Sequence, residues 1–287
     1  MSDLNYAAPE TVEAAVGLLA GDDTARVFAG GTDLLVQLRE DLRDPGLLVD
    51  IKRIKETRAI TIGADAITIG AAVTGAELGE DAELKALLPG VVEAVNLIGS
   101  DQVQGRATIG GNLCNASPAA DSVPALVAAG ARAAIAGPNG SREVAVEDLM
   151  QGPGKTSLAA GEFVTHLVLA KPRARTADAY LRFIPRTEMD IAVVGAGVAV
   201  TLADDGTCTA ARLALGAVAP TVKLVQAAAD VLVGSKLDDA TLDALADAAR
   251  GACSPIDDKR GTAEFRTHVA GVLARRVATI AWQRAEG

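Results

Sequence analysis

The stretch RATIGGNLCNASPAAD, residues 106 to 121, places two adjacent glycines, two asparagines, a cysteine and an aspartate between a strand-like apolar run and a helix-like one. Three kinds of site use such residues: a metal centre, a nucleophile loop and a cradle for a charged cofactor. The rest of the chain narrows the choice. Its three cysteines (Cys114, Cys208, Cys253) lie far apart without a C-x-x-C, and its two histidines are His166 and His268. A zinc site or an iron–sulfur cluster needs four soft ligands at close spacing, so neither is expected on this chain alone. A serine or cysteine nucleophile needs a nearby base, and so few histidines make one improbable. Cys114 has no resolving cysteine and no basic neighbour, and reads as a packed small residue rather than a redox thiol.

A second glycine pair supports the cradle. FAGGTDLL, residues 28 to 35, also follows an apolar strand and precedes helical sequence. Adjacent glycines remove two Cβ atoms and permit positive φ, so successive backbone N–H groups can converge on an anion. A diphosphate is the natural guest. The chain carries a net charge of −10, so its overall field repels such a guest. Binding is therefore assigned to local backbone donors and to the hydroxyls of Thr32, Thr108 and Ser117. Asp33 reads as an N-cap for the helix beginning at Leu34, because a carboxylate beside a diphosphate is unfavourable. Asn112 and Asn115 are either site residues or turn residues that tolerate left-handed geometry. Asp121 either caps the helix SVPALVAAG or accepts hydrogen bonds from ribose or ribityl hydroxyls.

Two other glycine motifs fail. GAGVAV, residues 195 to 200, follows a strand but has Val200 where a dinucleotide fingerprint needs its third glycine, and the run continues as a strand. GPGKT, residues 152 to 156, has Leu149 where a phosphate-binding P-loop needs its first glycine, and reads as a surface turn.

The 287 residues suffice for more than one domain. The first part alternates the helix TVEAAVGLLAG, the strand ARVFAGG, the helix DLLVQLRE and the strand GLLVDIK, which is an α/β unit spanning residues 1–55. A hairpin, ITIGADAITIG, opens a more β-rich unit over 56–172. It continues through helical DAELKALLPGVVEAVNLIG, the quoted loop, helical SVPALVAAG and the strands ARAAIAG, REVAVEDL and EFVTHLVLAKP. The charged, proline-containing stretch from Lys171 marks a boundary near Pro172. Residues 173–287 read as strands followed by helices, among them TVKLVQAAADVLVG, an α+β pattern. No apolar run reaches the roughly 18 residues of a membrane span. The acidic N-terminus with an early proline is unlike a signal peptide, so a cytoplasmic location is expected. One tryptophan, two tyrosines and four phenylalanines in an acidic chain provide neither the charge nor the stacking platforms that nucleic acid needs.

AGGTDLL and ATIGGNLCNASPAAD, followed in order by RTEMDIAVVGAGV, LGAVAPT and AEFRTHVAGVLARR, resemble the FAD-binding medium subunits of molybdenum hydroxylases, the family of xanthine dehydrogenase and carbon-monoxide dehydrogenase. The resemblance covers nearly the whole chain. It implies an α+β protein: a vanillyl-alcohol-oxidase (PCMH)-type FAD-binding domain of two α/β subdomains, then a C-terminal α+β domain of the CO dehydrogenase flavoprotein type. It implies FAD as cofactor. The implied partners are a large molybdopterin subunit and a small subunit with two [2Fe-2S] clusters, in a dimer of heterotrimers that delivers electrons to an external acceptor. Residue by residue, it places Ala29, Gly30, Gly31, Thr32 and Asp33 along the FAD diphosphate and ribityl chain, with Thr108, Ile109, Gly110, Gly111 and Asn112. Asp121 falls along the same ligand, and Asp190 and Ile191 near the isoalloxazine ring, at the cleft before the C-terminal domain. The family commonly has Arg-Asn where this chain has Gln104 and Gly105. No catalytic residue and no metal ligand is assigned to the chain.

Two other functions fit parts of the same pattern. A self-sufficient FAD-dependent oxidoreductase would need an acid–base pair, for which Arg186 and Glu188 are the nominees. A ligand-free interaction subunit would use both glycine pairs as structural turns.

Overall fold

Three short strands, Asn5–Ala7, Leu47–Asp50 and Arg26–Phe28, lie side by side in that order in a parallel sheet. Parallel neighbours need crossover connections, and the helices Val12–Gly21 and Leu34–Arg39 provide them. The computed structural model describes residues 4–187 and 189–287, so Glu188, nominated above, lies outside the described residues.

The second sheet is antiparallel throughout, with strands in the order Ile60–Ile62, Ala66–Gly70, Phe163–Ala170, Arg132–Gly137 and Gly140–Ala145. The expected hairpin is present, its turn closed by the Gly63 N–H on the Ala66 carbonyl at 2.8 Å. Phe163, Leu167 and Leu169 are buried in a core shared with Ile67, Ile69, Ile109 and Leu126. Two segments depart from the sequence reading. The helix expected from Asp81 onward is broken into Ala82–Leu87 and Pro89–Val95, because Pro89 has no N–H to continue the first helix but suits the first turn of the next. The strand expected over REVAVEDL ends at Ala145 and becomes a helical turn, Val146–Leu149.

A third, antiparallel sheet runs Thr176–Phe183, Val194–Leu202, Cys208–Gly216 and Lys223–Leu224. The last of these strands takes the start of the segment expected to be wholly helical, and the helix itself is Gln226–Leu232. That helix, Asp239–Gly251 and Ala263–Glu286 complete the C-terminal part. Along Val194–Leu202 the even-numbered residues Val194, Ala196, Val198, Val200 and Leu202 enter a core with Val277, Ala278 and Trp282. Strand residues alternate faces, so Gly195 and Gly197 point the other way. There the helix Ser122–Ala128 packs against the sheet. A Cβ on Gly197 would fall 2.6 Å from the Pro124 carbonyl oxygen, and one on Gly216 would fall 2.7 Å from the Pro124 ring. The GAGVAV glycines thus admit a helix, not a nucleotide.

Polar ties reinforce this junction. The Asp178 carboxylate, on the third sheet, accepts the N–H groups of Gly90 and Val91 at 3.0 and 3.1 Å and so caps the helix Pro89–Val95 from another part of the chain. Arg284 pairs with Glu93 and donates to the Asp178 carbonyl at 2.9 Å. No helix of the described residues is long and apolar enough to cross a membrane.

Replacing Gly197 by Ala forces a methyl group onto rigid backbone, and overpacking of this kind costs about 1–3 kcal/mol. The Gly197→Ala variant is expected to unfold at a lower urea concentration with an unchanged denaturant slope; an unchanged midpoint would contradict the tight helix–sheet contact.

Candidate functional site

Both glycine pairs open on one cleft of about 310 Å³, whose wall includes Ala29, Gly30, Gly31, Thr32, Asp33, Thr108, Gly110, Gly111 and Asn112. The first loop leaves the edge strand Arg26–Phe28 and turns sharply. Gly31 has φ +77°, and a Cβ on it would meet the Phe28 ring at 2.5 Å, so glycine is required on both conformational and steric grounds. Lys52 braces the start of the turn: its Nζ donates to the Ala29 carbonyl and the Asp50 carboxylate, each at 2.7 Å, and lies 4.2 Å from the Phe28 ring centroid. Among the described residues, no intrachain acceptor meets the N–H groups of Gly30, Gly31, Thr32 or Asp33. Four consecutive donors are therefore available to an anion.

The second loop is built differently. Its glycines sit in the first turn of a helix, Ile109–Cys114, capped by Thr108, whose hydroxyl accepts the Gly111 N–H at 3.1 Å. The Ile109 and Gly110 N–H groups donate to the carbonyls of Val73 and Ala71, and that of Asn112 to Thr108. The sequence reading gave both loops free backbone donors, whereas here the N–H groups of Ile109 to Asn112 are spent within the fold. Its contribution is close approach. A Cβ on Gly110 would fall 2.6 Å from Ala71, while one on Gly111 would meet only the Thr108 hydroxyl, at 2.7 Å. Ile109 is fully buried and anchors the turn in the core. The Asn112 side chain accepts from the N–H and hydroxyl of Ser122, at 3.3 and 2.7 Å, tying this helix to the next.

The acidic and remaining expected residues take other roles. Asp33 borders the cleft but makes no capping bond; its backbone is already helical, a geometry in which the side chain does not reach back to the helix N–H groups. Desolvation raises its carboxyl above the ordinary range. Asp121 is outside the cleft wall and makes no cap either. Its two oxygens are taken by the Tyr180 hydroxyl at 2.9 Å and Arg182 at 2.7 Å, in a buried pair with the third sheet. Burial pushes the Asp121 carboxyl up to about 6, against the opposing charge of Arg182 and the bond from Tyr180. Asp190 accepts from the Ile191 N–H at 2.8 Å and pairs with Arg186 and Arg260 at 3.1 and 3.3 Å, which holds it below the usual carboxylate range. These bonds hold its turn. Ile191 precedes the strand that begins at Val194 and is 51% exposed, so it is not a core residue. Ser117 accepts from the Ala119 N–H at 3.3 Å within its own turn. Gln104 is buried and donates to the Asn96 carbonyl at 2.7 Å, while Gly105 is exposed.

Sequence reasoning missed Arg26, Arg43 and Gln37, which line the cleft alongside Asn115. Gln37 donates to Asn115 Oδ1 at 3.1 Å and so spans the two loops. The polar face of DLLVQLR was the one available signal.

Unpaired donors, glycine walls and a cleft between two sheets define a protein that holds an elongated phosphate-bearing cofactor. Residues 2–172 match the FAD binding domain in molybdopterin dehydrogenase, and residues 179–281 match the CO dehydrogenase flavoprotein C-terminal domain. The carbon monoxide dehydrogenase medium chain of Afipia carboxidovorans is 35% identical, with 98% of each chain covered. The xanthine dehydrogenase FAD-binding subunit of Escherichia coli O157:H7 is 32% identical over 99% of this chain and 97% of the other. A solved structure of reconstituted CO dehydrogenase from Oligotropha carboxidovorans superposes with a TM-score of 0.94 at 34% identity, covering 98% of each chain. The chain belongs to the family of FAD-binding medium subunits of molybdenum hydroxylases. It is a flavoprotein subunit of a molybdopterin-dependent oxidoreductase, and the expected fold and cofactor hold.

Cys114 lies in the cleft wall, and burial pushes its thiol up to about 12. At pH 8 almost none of it is thiolate. Iodoacetamide at that pH is expected to leave Cys114 largely unmodified in the folded chain, and Cys114→Ser to retain FAD. Rapid alkylation, or loss of flavin in the serine variant, would show a reactive or binding thiol.

Proposed function

We propose that this chain is the electron-transfer subunit of its complex, taking electrons from the [2Fe-2S] clusters of a small subunit and delivering them to an external acceptor. Oxidation of the carbon substrate falls to a large molybdopterin subunit, in a dimer of heterotrimers. The observation that carries the reading is the row of four unspent N–H groups at Gly30 to Asp33, in a cleft also lined by Gly110 and Gly111, in a chain with net charge −10. Among the described residues, no group of three or more His, Cys, Asp or Glu could hold a metal ion. The medium-chain and FAD-subunit names of the relatives fit the same division of labour.

FAD, when bound, supplies a centre that accepts and releases electrons singly or in pairs. The residues assigned to hold it are Ala29 to Asp33 and Thr108 to Asn112; Asp121, expected along the same ligand, instead spends its two oxygens on Tyr180 and Arg182 outside the cleft wall. The first loop donates hydrogen bonds and Lys52 fixes its entry. Gly111 keeps a side chain out of the cleft, Gly110 lets the turn pack on Ala71, Ile109 anchors that turn, and the Thr108 hydroxyl holds the backbone that presents it. Asp190 and Ile191 are assigned to the ring end. An exposed isoleucine on a turn fixed by two arginines suits a cover for a flat apolar ring. The three sheets support a division into units 1–55, 56–172 and 173–287. The three free thiols are consistent with a reducing, cytoplasmic location.

Isolation of the native complex tests this directly. It is expected to contain FAD, molybdopterin and [2Fe-2S] clusters on three different chains, and the isolated chain is expected to hydroxylate nothing. A chain that oxidises a small molecule without partners would instead be a self-sufficient flavoenzyme. Gly111→Val fills the cleft and presses on the Thr108 cap, so it is expected to abolish flavin retention while far-UV circular dichroism stays native; full FAD occupancy would remove the second loop from the site. Ile191→Ala is expected to alter the rate of flavin reoxidation without weakening FAD, and an unchanged rate would argue against that placement of the ring.

A further inference from the structure

The cleft wall contains two arginines, Arg26 and Arg43. Arg26 spends its Nη1 on the carbonyls of Ala25 and Asp23, at 2.8 and 3.4 Å. Arg43 is held only through its Nε, which donates to Gln37 Oε1 at 3.3 Å. The other end of the same amide, Gln37 Nε2, donates to Asn115 Oδ1 at 3.1 Å. These two bonds fix which way the amide faces: its oxygen toward Arg43 and its nitrogen toward the far loop. Among the described residues, neither terminal nitrogen of Arg43 has an acceptor and no carboxylate lies within ion-pair distance of them. Arg43 is exposed where it lines the cleft, and a guanidinium gripped at Nε with its outer fork unpaired can bind phosphate oxygens in pairs.

We propose that Arg43 is the charged ligand of the FAD diphosphate, and that Gln37 is its positioning residue, itself oriented by Asn115. The proposal rests on the assignment of FAD to this cleft and adds to it the source of positive charge. Neutral N–H donors alone must hold a diphosphate against the field of an acidic chain. One guanidinium at the cleft wall opposes that field locally, and, being exposed, does so in a salt-dependent way. The chain of contacts also makes the grip conditional. Asn115 belongs to the second loop and Arg43 to the first unit of the fold, residues 1–55, so the cation is in place only when both walls of the cleft are assembled.

Binding of FAD, ADP and riboflavin to the full chain, measured by flavin fluorescence and equilibrium dialysis at low and moderate salt, tests this without any turnover assay. Arg43→Gln is expected to weaken FAD and ADP roughly 10- to 100-fold, with riboflavin, which has no phosphate, unchanged. The dependence of FAD affinity on salt is expected to become shallower in the same variant. Arg43→Lys is expected to recover part of the loss, because it keeps the charge but not the fork. Gln37→Ala is expected to weaken FAD less than Arg43→Gln does, and to add nothing when combined with it. FAD affinity unchanged in Arg43→Gln, or an equal loss of FAD and riboflavin, overturns the assignment to Arg43 alone. A wild-type chain that binds no flavin removes the FAD site itself and the proposal with it.

Discussion

Gly30 lies so close to the backbone of Arg106 and Ala107 that a Cβ would fall 2.0 Å from the Arg106 carbonyl oxygen. The cleft depends on this contact. It sets the turn that leaves the parallel sheet directly against the entry to the helix Ile109–Cys114, and no residue larger than glycine permits the approach. With the two walls at this distance, Gln37 reaches Asn115 and the unspent N–H groups of the first loop share one cleft with the glycines of the second. The walls divide the work: one offers donors, and the other offers only space. The second wall is rigid because the N–H groups of Ile109 to Asn112 are tied to Ala71, Val73 and Thr108.

Glycine serves a second, unrelated purpose at the junction with the C-terminal part. Gly197 and Gly216 let Pro124 seat on the third sheet, and the carboxylates of Asp121 and Asp178 are buried beside that contact. Buried charges of this kind add little net stability, since desolvation offsets the attraction, but breaking one partner is costly. Asp121 receives Tyr180 and Arg182, and Asp178 receives two helix N–H groups, so each carboxylate accepts only one geometry. Burial pushes Asp178 up to about 6, with the Gly90 and Val91 N–H groups opposing it. The orientation of the flavin-bearing part against the C-terminal sheet is thereby set by directional bonds as well as by apolar packing.

Much of this was legible in the sequence, for identifiable reasons. A glycine pair between a strand and a helix is a local signal, because the need for a missing Cβ is felt where the residue stands. The apolar alternation of ITIGADAITIG and of VVGAGVAVTL likewise reports a sheet without reference to anything distant. The helical state of IGGNLC was hidden, because two glycines disfavour a helix and the stabilising bonds come from Ala71, Val73 and the Thr108 cap. Asp121 was legible as important but not in its role, since Tyr180 and Arg182 approach it from about sixty positions away. Arg43, Gln37 and Asn115 were illegible as a group for the same reason: their meeting is a property of the folded cleft, not of any segment.

The central claim is that one cleft, walled by residues 29–33 and 108–112, holds FAD. A crystal structure of the chain loaded with FAD tests it most directly. The account predicts diphosphate density within hydrogen-bonding distance of the N–H groups of Gly30 to Asp33, with Gly111 against the ligand and no side chain between them. Density for the diphosphate elsewhere, with those N–H groups facing only water, would contradict it.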